Sequence, residues 1–408
     1  MSITHFTLDN GLTVLIEPHL RAQSAALAIL TPAGSIYEEA GCNGTAAALA
    51  DWMLRGAGTR DSRDLIGALD ALGVEAHESA GWNFLSLTAA TLAENLIPAL
   101  ELYGDVLLRP RLPEDQLEAV LGGIEQNLLA MEDEPQRRVF VELRRRVFDD
   151  PWGRSSDGSL SDLERITPAI VRGHFERNVR PNGTLIGIAG RVDPQEVRDA
   201  IERILGRWEV RPVPEIRRQP PLETDEFLEF PAAQTHIGLS YPAVPYGHPD
   251  YYSAWAAVDV LSGGSSSRLF TEVREKRGLC YSVDASLTSL LTEGCVMAYA
   301  GTTTERAQET LDVMLEVFRS LEQGVAPDEL RRCQARAKST LIMQQESTQS
   351  RASAIVRDWF HLGRVLPLEE IRLQLEQLSV EQVVDYARRF PPEPVTGFCV
   401  GASPLQFR

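Results

Sequence analysis

The sequence predicts an α+β fold built twice, as two similar domains in tandem, each a mostly antiparallel β-sheet packed with α-helices. Three observations carry this. Strand-type runs of period two alternate with longer helix-type runs along the whole 408 residues. The order of the runs repeats. Leu112-Pro113-Glu-Asp-Gln-Leu117 returns as Ala326-Pro327-Asp-Glu-Leu330, with Pro327 lying 214 residues after Pro113. Leu163-Glu-Arg-Ile-Thr167 returns as Leu375-Glu-Gln-Leu-Ser379, 212 residues on, and residues 184–190 return as 396–401. One slowly drifting offset over three separate segments marks an internal repeat. Between the copies runs Val210-Arg-Pro-Val-Pro-Glu-Ile-Arg-Arg-Gln-Pro-Pro221, an extended and fairly stiff linker. The domains are accordingly placed at 1–209 and 227–408, joined by 210–226, in the usual domain size range.

In order along the chain, residues 6–16 are two short β-type runs around Asn10-Gly11, a strong hairpin signal. Residues 24–30 read as a buried strand. A helix fits 38–55 and ends near Gly56. Asp61 caps a second helix running to Leu72, followed by strands near 74–78 and 83–90. Long helices are expected over 93–108 and from 114 to about 148, where Asp149-Asp-Pro-Trp-Gly153 breaks the pattern. A strand over 184–189 and a helix opened by Asp193-Pro194 complete the first half. The second half repeats the plan with a strand at 232–241, a helix at 249–261, a strand at 293–301 and a helix at 304–321.

The formal charge is −18, which argues against nucleic-acid binding, since neutralising phosphates needs a basic face. The same field favours basic peptides by long-range steering, or serves solubility alone. Lys276 and Lys338 are the only lysines among 40 basic residues. Cys42, Cys280, Cys295, Cys333 and Cys399 are odd in number and show no CxxC spacing, so they read as small buried hydrophobes rather than a disulfide framework. No apolar run is long enough to span a bilayer, and the N-terminal residues show no export signal, so a cytoplasmic protein without membrane association is expected.

One segment carries chemistry by what it lacks. Gly41-Cys42-Asn43-Gly44-Thr45-Ala46-Ala47-Ala48-Leu49-Ala50-Asp51-Trp52-Met53-Leu54-Arg55-Gly56 resembles the first active-site helix of an inverted zinc peptidase, in which Asn-Gly-Thr-Ala precedes His-x-x-Glu-His. The His, Glu and His positions fall on Ala47, Ala50 and Asp51. An alanine methyl neither binds metal nor takes a proton. None of the seven histidines is paired with another four residues away. Further segments carry the same resemblance: Asp150-Pro-Trp-Gly-Arg154, His174-Phe175, Arg180-Pro-Asn-Gly183, Ala189-Gly-Arg-Val-Asp193, and Leu261-Ser-Gly-Gly-Ser-Ser-Ser-Arg-Leu269. The most specific run is Glu272-Val-Arg-Glu-Lys-Arg-Gly-Leu-Cys-Tyr-Ser282. Over nearly its whole length the chain is similar to the insulinase/pitrilysin family of zinc peptidases, in particular its short-chain, processing-peptidase-like branch.

The resemblance implies two alike halves facing each other around a peptide chamber. It also implies a paired assembly, in which one subunit holds the zinc and the other supplies residues from its second half. Arg274 and Tyr281 match an Arg and a Tyr at the family's spacing of seven. They are implied to reach from the second half toward the zinc site and bind substrate carbonyl oxygen and oxyanion. Both are hydrogen-bond donors, and donors aimed at developing negative charge contribute about 3 kcal/mol. A helix holding Arg274 is expected to end at Gly278, with Tyr281 opening a strand. The bland reading has Arg274 paired with a carboxylate and Tyr281 half-buried. The family's third metal ligand is a Glu on a later helix. Gly122-Gly123 sit where a Glu pair is usual, and nearby Glu125 and Glu132 read as a solvated face.

No metal is therefore expected in this chain. Gly263-Gly264-Ser265-Ser266-Ser267 lacks a Walker or GxGxxG pattern and reads as a loop contacting peptide or partner rather than a phosphate cradle. Trp52, Trp82 and Trp152 read as core. The aromatic and Pro-rich stretch 241–252 either lines a chamber or caps the domain. The leading functional expectation is a non-catalytic subunit that donates Arg274 and Tyr281 to a zinc-bearing, HxxEH-containing paralogue. The alternatives are a catalytically inert scaffold or peptide-binding homodimer of the same fold, and, least favoured, a peptidase with an unusual metal site built on Asp51.

Overall fold

The computed structural model describes residues 3–221, 226–231 and 233–407. The first half runs β1 (Thr4–Thr7), β2 (Thr13–Pro18), β3 (Ser24–Thr31), α1 (Thr45–Met53), β4 (Gly56–Ala57), β5 (Arg60–Asp61), α2 (Ser62–Ala71), β6 (Glu75–Ala80), β7 (Leu85–Leu92), α3 (Leu96–Leu108), α4 (Glu114–Glu132), α5 (Pro135–Val147), α6 (Leu160–Leu163), α7 (Pro168–Asn178), β8 (Leu185–Gly190) and α8 (Pro194–Leu205). The second half runs β9 (Phe227–Glu229), β10 (Gln234–Ala243), α9 (Tyr251–Ser262), a π-helical turn at Phe270–Glu275, β11 (Cys280–Ser289), β12 (Gly294–Thr303), α10 (Ala307–Gln323), α11 (Pro327–Glu346), α12 (Thr348–Leu362), α13 (Leu368–Gln377), α14 (Val380–Arg389) and β13 (Thr396–Gly401).

Two compact units emerge. The first comprises Met1–Ala130, Asp150–Gln219 and Gln344–Val365; the second comprises Met131–Asp149, Pro220–Met343 and Leu366–Arg408. The first unit is built on a six-stranded sheet of order β1-β2-β8-β3-β7-β6, antiparallel throughout except for the β2/β8 pair. Alternation along β3 sends Ala26 and Ala28 to one face, where with Leu15 and Ala189 they meet Ala352, Ile355 and Val356 of α12. The approach is close: a Cβ on Gly187 would come within 2.4 Å of the Ala352 carbonyl oxygen. Glu17 on β2 and Arg351 on α12 close this interface with a buried bidentate ion pair, at 2.7 Å for its shortest bond.

The second unit carries a five-stranded sheet of order β11-β12-β10-β13-β9, with β13/β9 the parallel pair. One face, with Ile237, Leu239, Val296, Ala298 and Ala300, is buried among residues of α9, α10 and α14. The other face receives α5, a helix from the first half of the chain. A Cβ on Gly238 would lie 2.3 Å from Val139. Each unit is thus α+β with a mixed, mainly antiparallel sheet. None of the helices among the described residues is long and apolar enough to cross a membrane.

Several elements differ from the sequence expectation for identifiable reasons. The helix expected over 38–55 is confined to Thr45–Met53. Gly41 and Gly44 take positive φ of 77° and 117°, and residues 38–44 wrap the helix start instead of joining it. The helix expected from 114 to about 148 is two helices, because Pro135 lacks an N–H and bars helical geometry at Glu134 (φ −111°, ψ 80°). The helices expected from 93 and 304 begin with single 3-10 turns, at Ala93–Asn95 and Thr304–Arg306. Of the strand expected over 232–241, Ala232 lies outside the described residues, as do 222–225 of the linker. Linker residues 210–219 belong to the first unit, where Asn182 Nδ2–H donates to the Arg211 carbonyl (2.9 Å) and Gln219 bridges Asp150. The five cysteines are free; four are buried and Cys280 is half-buried.

Candidate functional site

In the first unit, the start of α1 is assembled from carboxylates. Glu38 Oε1 accepts the N–H of Gly44 (3.1 Å) and of Ala46 (2.7 Å), satisfying donors that a helix start leaves orphaned. Asp162 Oδ2 accepts the N–H of Asn43 at 3.0 Å. Glu38 Oε2 is buried with no hydrogen-bond partner among the described residues. Burial pushes the Glu38 carboxyl up to about 8, against the pull of the two N–H donors and of Arg154. Arg154 is itself clamped by Asp150, with bonds of 2.6 Å from Nε and from Nη2. Trp52 is fully buried and donates its Nε1–H to the Pro113 carbonyl at 2.8 Å. Trp82 donates to the Arg154 carbonyl, and Trp152 lies under the Arg218 guanidinium. Neither is fully buried, so of the three tryptophans only Trp52 is core in the strict sense.

On α1 the three positions of interest have no metal chemistry to offer. Ala47 and Ala50 present methyl groups. Asp51 is spent on Arg55, with carboxylate–guanidinium bonds of 2.7 and 3.1 Å. Glu78 on β6 sits close by, its carboxyl raised first by burial and then by the Asp51 charge. On α4, Glu125 and Glu132 are exposed, and a Cβ on Gly122 or Gly123 would meet open space. Among the described residues, no group of three or more His, Cys, Asp or Glu is arranged to hold a metal ion. Catalytic zinc takes three protein ligands, and the residues here do not fit it.

In the second unit, Arg274 and Tyr281 are brought together. Arg274 lies in the π-helical turn Phe270–Glu275. Gly278, at φ +57°, reverses the chain, with its N–H bonded to the Arg274 carbonyl (3.0 Å) and the Leu279 N–H to that of Val273 (2.9 Å). The β11/β12 ladder then slips at Tyr281, since Cys280 opposes Thr302 and Ser282 opposes Gly301. That bulge leaves Tyr281 unpaired and 81% exposed. The Arg274 guanidinium sits 4.8 Å from the Tyr281 ring and 4.8 Å from the Phe270 ring. Two rings hold it by cation–π attraction, and among the described residues no carboxylate takes its donors. The nearby Glu272 is occupied by Lys276 (2.6 Å) and Arg277 (2.7 Å).

Phe270 is the ring neighbour of Arg274 that sequence reasoning missed. Its signal was the i, i+4 spacing to Arg274 on one helical face. The Gly263–Ser267 loop leads into Arg268, whose guanidinium is held by Glu329, Ser320 and the Gly324 carbonyl. In the stretch 241–252, Tyr241 is core against Phe318, while Tyr246 and Tyr251 pack edge to face.

Comparison with known proteins places these features. Residues 13–156 match the family described as Insulinase (Peptidase family M16), and residues 165–337 match the family's Peptidase M16 inactive domain. An uncharacterized zinc protease of Bacillus subtilis is 24% identical over 95% of both chains. One of Mycobacterium bovis is 27% identical over 94% of this chain and 89% of the relative. A crystal structure of a peptidase M16 inactive domain from Pseudomonas fluorescens superposes with a TM-score of 0.89 at 22% identity, covering 100% of this chain and 99% of that one. The two family matches jointly span most of the sequence, and the chain belongs to the insulinase (M16) peptidase family.

Proposed function

We propose that this chain is the non-catalytic subunit of a heterodimeric zinc metallopeptidase. It binds peptide and presents Arg274 and Tyr281 to the zinc site of a partner chain that carries His-x-x-Glu-His. The observation that carries this reading is an asymmetry. The α1 positions that face chemistry in a zinc peptidase hold Ala47, Ala50 and an Asp51 consumed by Arg55. The second-half pair, by contrast, keeps its polar groups available: the guanidinium lies 4.8 Å from each of two rings, with no carboxylate on its donors among the described residues, beside an exposed phenol.

The two side chains suit the task. The guanidinium offers a planar fork of donors to a carbonyl or oxyanion. The phenol O–H adds a second donor. Stacking on Phe270 and Tyr281 removes rotamer freedom before substrate arrives, which lowers the cost of binding. Metal-supplied water activation belongs to the partner.

The test is reconstitution. The purified chain, the HxxEH-bearing paralogue and their mixture are assayed for zinc content and for cleavage of a quenched peptide library. The expected result is silence from this chain alone, activity from the mixture, and zinc only in the paralogue. In the complex, Arg274→Ala and Tyr281→Phe each lower kcat/KM by about 10²-fold, the scale of one lost oxyanion donor. A stable homodimer, inert in every mixture, points instead to a scaffold or peptide-binding protein. Unchanged activity in both variants refutes the donated pair.

A further inference from the structure

Tyr281 owes its exposure to an irregularity in the strand, and that irregularity has an anchor. Val283 on β11 opposes Ala300 on β12, on the face buried against α9, α10 and α14. By alternation Tyr281 belongs to that same face. It escapes because the bulge makes it an extra residue between the Cys280–Thr302 and Ser282–Gly301 pairs. A ladder closed up by one residue would set Tyr281 opposite Thr302 and turn its ring toward the core. Thr302 stands against that slip. It is 3% exposed, and its hydroxyl donates to the Leu279 carbonyl at 2.6 Å, one residue before β11 begins. Behind it, the fully buried Thr310 hydroxyl of α10 lies 3.0 Å from the Thr302 oxygen. Arg306, in the 3-10 turn before α10, donates from Nη1 to the Gly278 carbonyl at 3.1 Å and is itself held by Glu309. Two successive carbonyls at the root of the bulge are thus tied to the corner between β12 and α10.

We infer that Thr302 is a positioning residue for Tyr281, with Arg306 as its outer support. The Thr302 hydroxyl fixes the Leu279 carbonyl, so the extra residue stays in the strand and the phenol stays at the surface beside the Arg274 guanidinium. Buried itself, Thr302 acts through the turn and touches no peptide. Its side chain suits the task, because the β-branched stem favours the strand while the hydroxyl makes the bond. Valine keeps the shape and loses the bond. The inference rests on the role proposed above for Tyr281, and the experiment separates the two.

Amide hydrogen exchange of the purified chain reads the anchor, and the kinetics of the reconstituted complex read its use. Thr302→Val is expected to speed exchange in residues 276–282 by about tenfold, the scale of one buried hydrogen bond, with β10 and β13 unchanged. In the complex it lowers kcat about tenfold at nearly constant KM, because a displaced oxyanion donor is felt in the transition state. Thr302→Ser restores both readings. Adding Thr302→Val to Tyr281→Phe costs little more, since both remove the same donor, whereas a merely structural threonine makes the two losses multiply. Arg306→Met, at the surface, acts in the same direction with a smaller effect and carries the test should Thr302→Val not fold. Unchanged exchange in both variants overturns the anchor. Losses that multiply, or a loss that serine does not rescue, overturn the positioning role. If Tyr281→Phe leaves activity unchanged while exchange quickens in Thr302→Val, the Tyr281 role fails and takes the positioning role with it, and only the anchor stands.

Discussion

Glu38 makes the start of α1 sensitive to pH, and in an unusual direction. Its carboxyl has an ordinary value of 4.5 and is raised to about 8 in the folded chain, chiefly by burial. Below pH 4.5 the folded and unfolded states both hold the proton, and the group contributes no difference. Between 4.5 and 8 the unfolded chain ionises while the folded chain keeps its proton. Stability therefore falls as pH rises through that window, by about 1.4 kcal/mol per unit. From pH 5 to pH 8 the loss amounts to about 4 kcal/mol, and above pH 8 it levels off. Glu38→Gln removes the ionisation but keeps a side-chain oxygen to accept the Gly44 and Ala46 N–H groups. Urea unfolding of both proteins at pH 5, 6, 7 and 8, followed by tryptophan fluorescence, isolates the effect as the difference between them. The variant is expected to gain on the wild type steadily with pH and to overtake it by pH 8. A difference that does not change with pH refutes the reasoning and means that water or a nearby donor stabilises the carboxylate.

His174 acts at the acid end. Its ring is fully buried, with Nε2 bonded to the Ala33 carbonyl at 2.9 Å, and burial lowers its pKa to about 4. A base depressed on folding stabilises above its unfolded value of 6.5 and loses that contribution as pH falls toward 4. His174→Gln should therefore flatten the stability curve between pH 4 and 6.5, as read by acid titration of the circular dichroism signal. The buried Glu17–Arg351 pair gives a second check. Arg351→Met strands a buried carboxylate and is expected to cost about 3–5 kcal/mol, while adding Glu17→Met recovers much of it. Denaturant midpoints of the single and double variants decide this.

The sequence made the repeat legible because its signposts are local chemistry: a Pro that opens a helix, an Asp or Ser that caps one, a Gly that ends a strand. It made Arg274 and Tyr281 legible because they sit on one continuous run. It did not reveal what depends on long-range packing. Nothing in residues 348–362 says that α12 covers the first unit's sheet, since its apolar stripe fits any apolar face. Glu38 reads as an ordinary exposed carboxylate until the positive φ of Gly41 and Gly44 turns it inward.

The placement of α5 and α12 has a consequence for how the chain comes to be folded. The first unit's sheet is complete in sequence by Gly190, yet the helix that seals its second face ends at Leu362. At about 5–20 residues per second, the ribosome needs roughly ten to thirty seconds to supply it. Through that interval the Ala26, Ala28 and Ala189 face stands open, while α5, already made, waits for a sheet not yet translated. Neither half of the gene encodes a self-sufficient module. A polypeptide cut in the 210–226 segment is expected to yield two fragments that are soluble and structured only when expressed together.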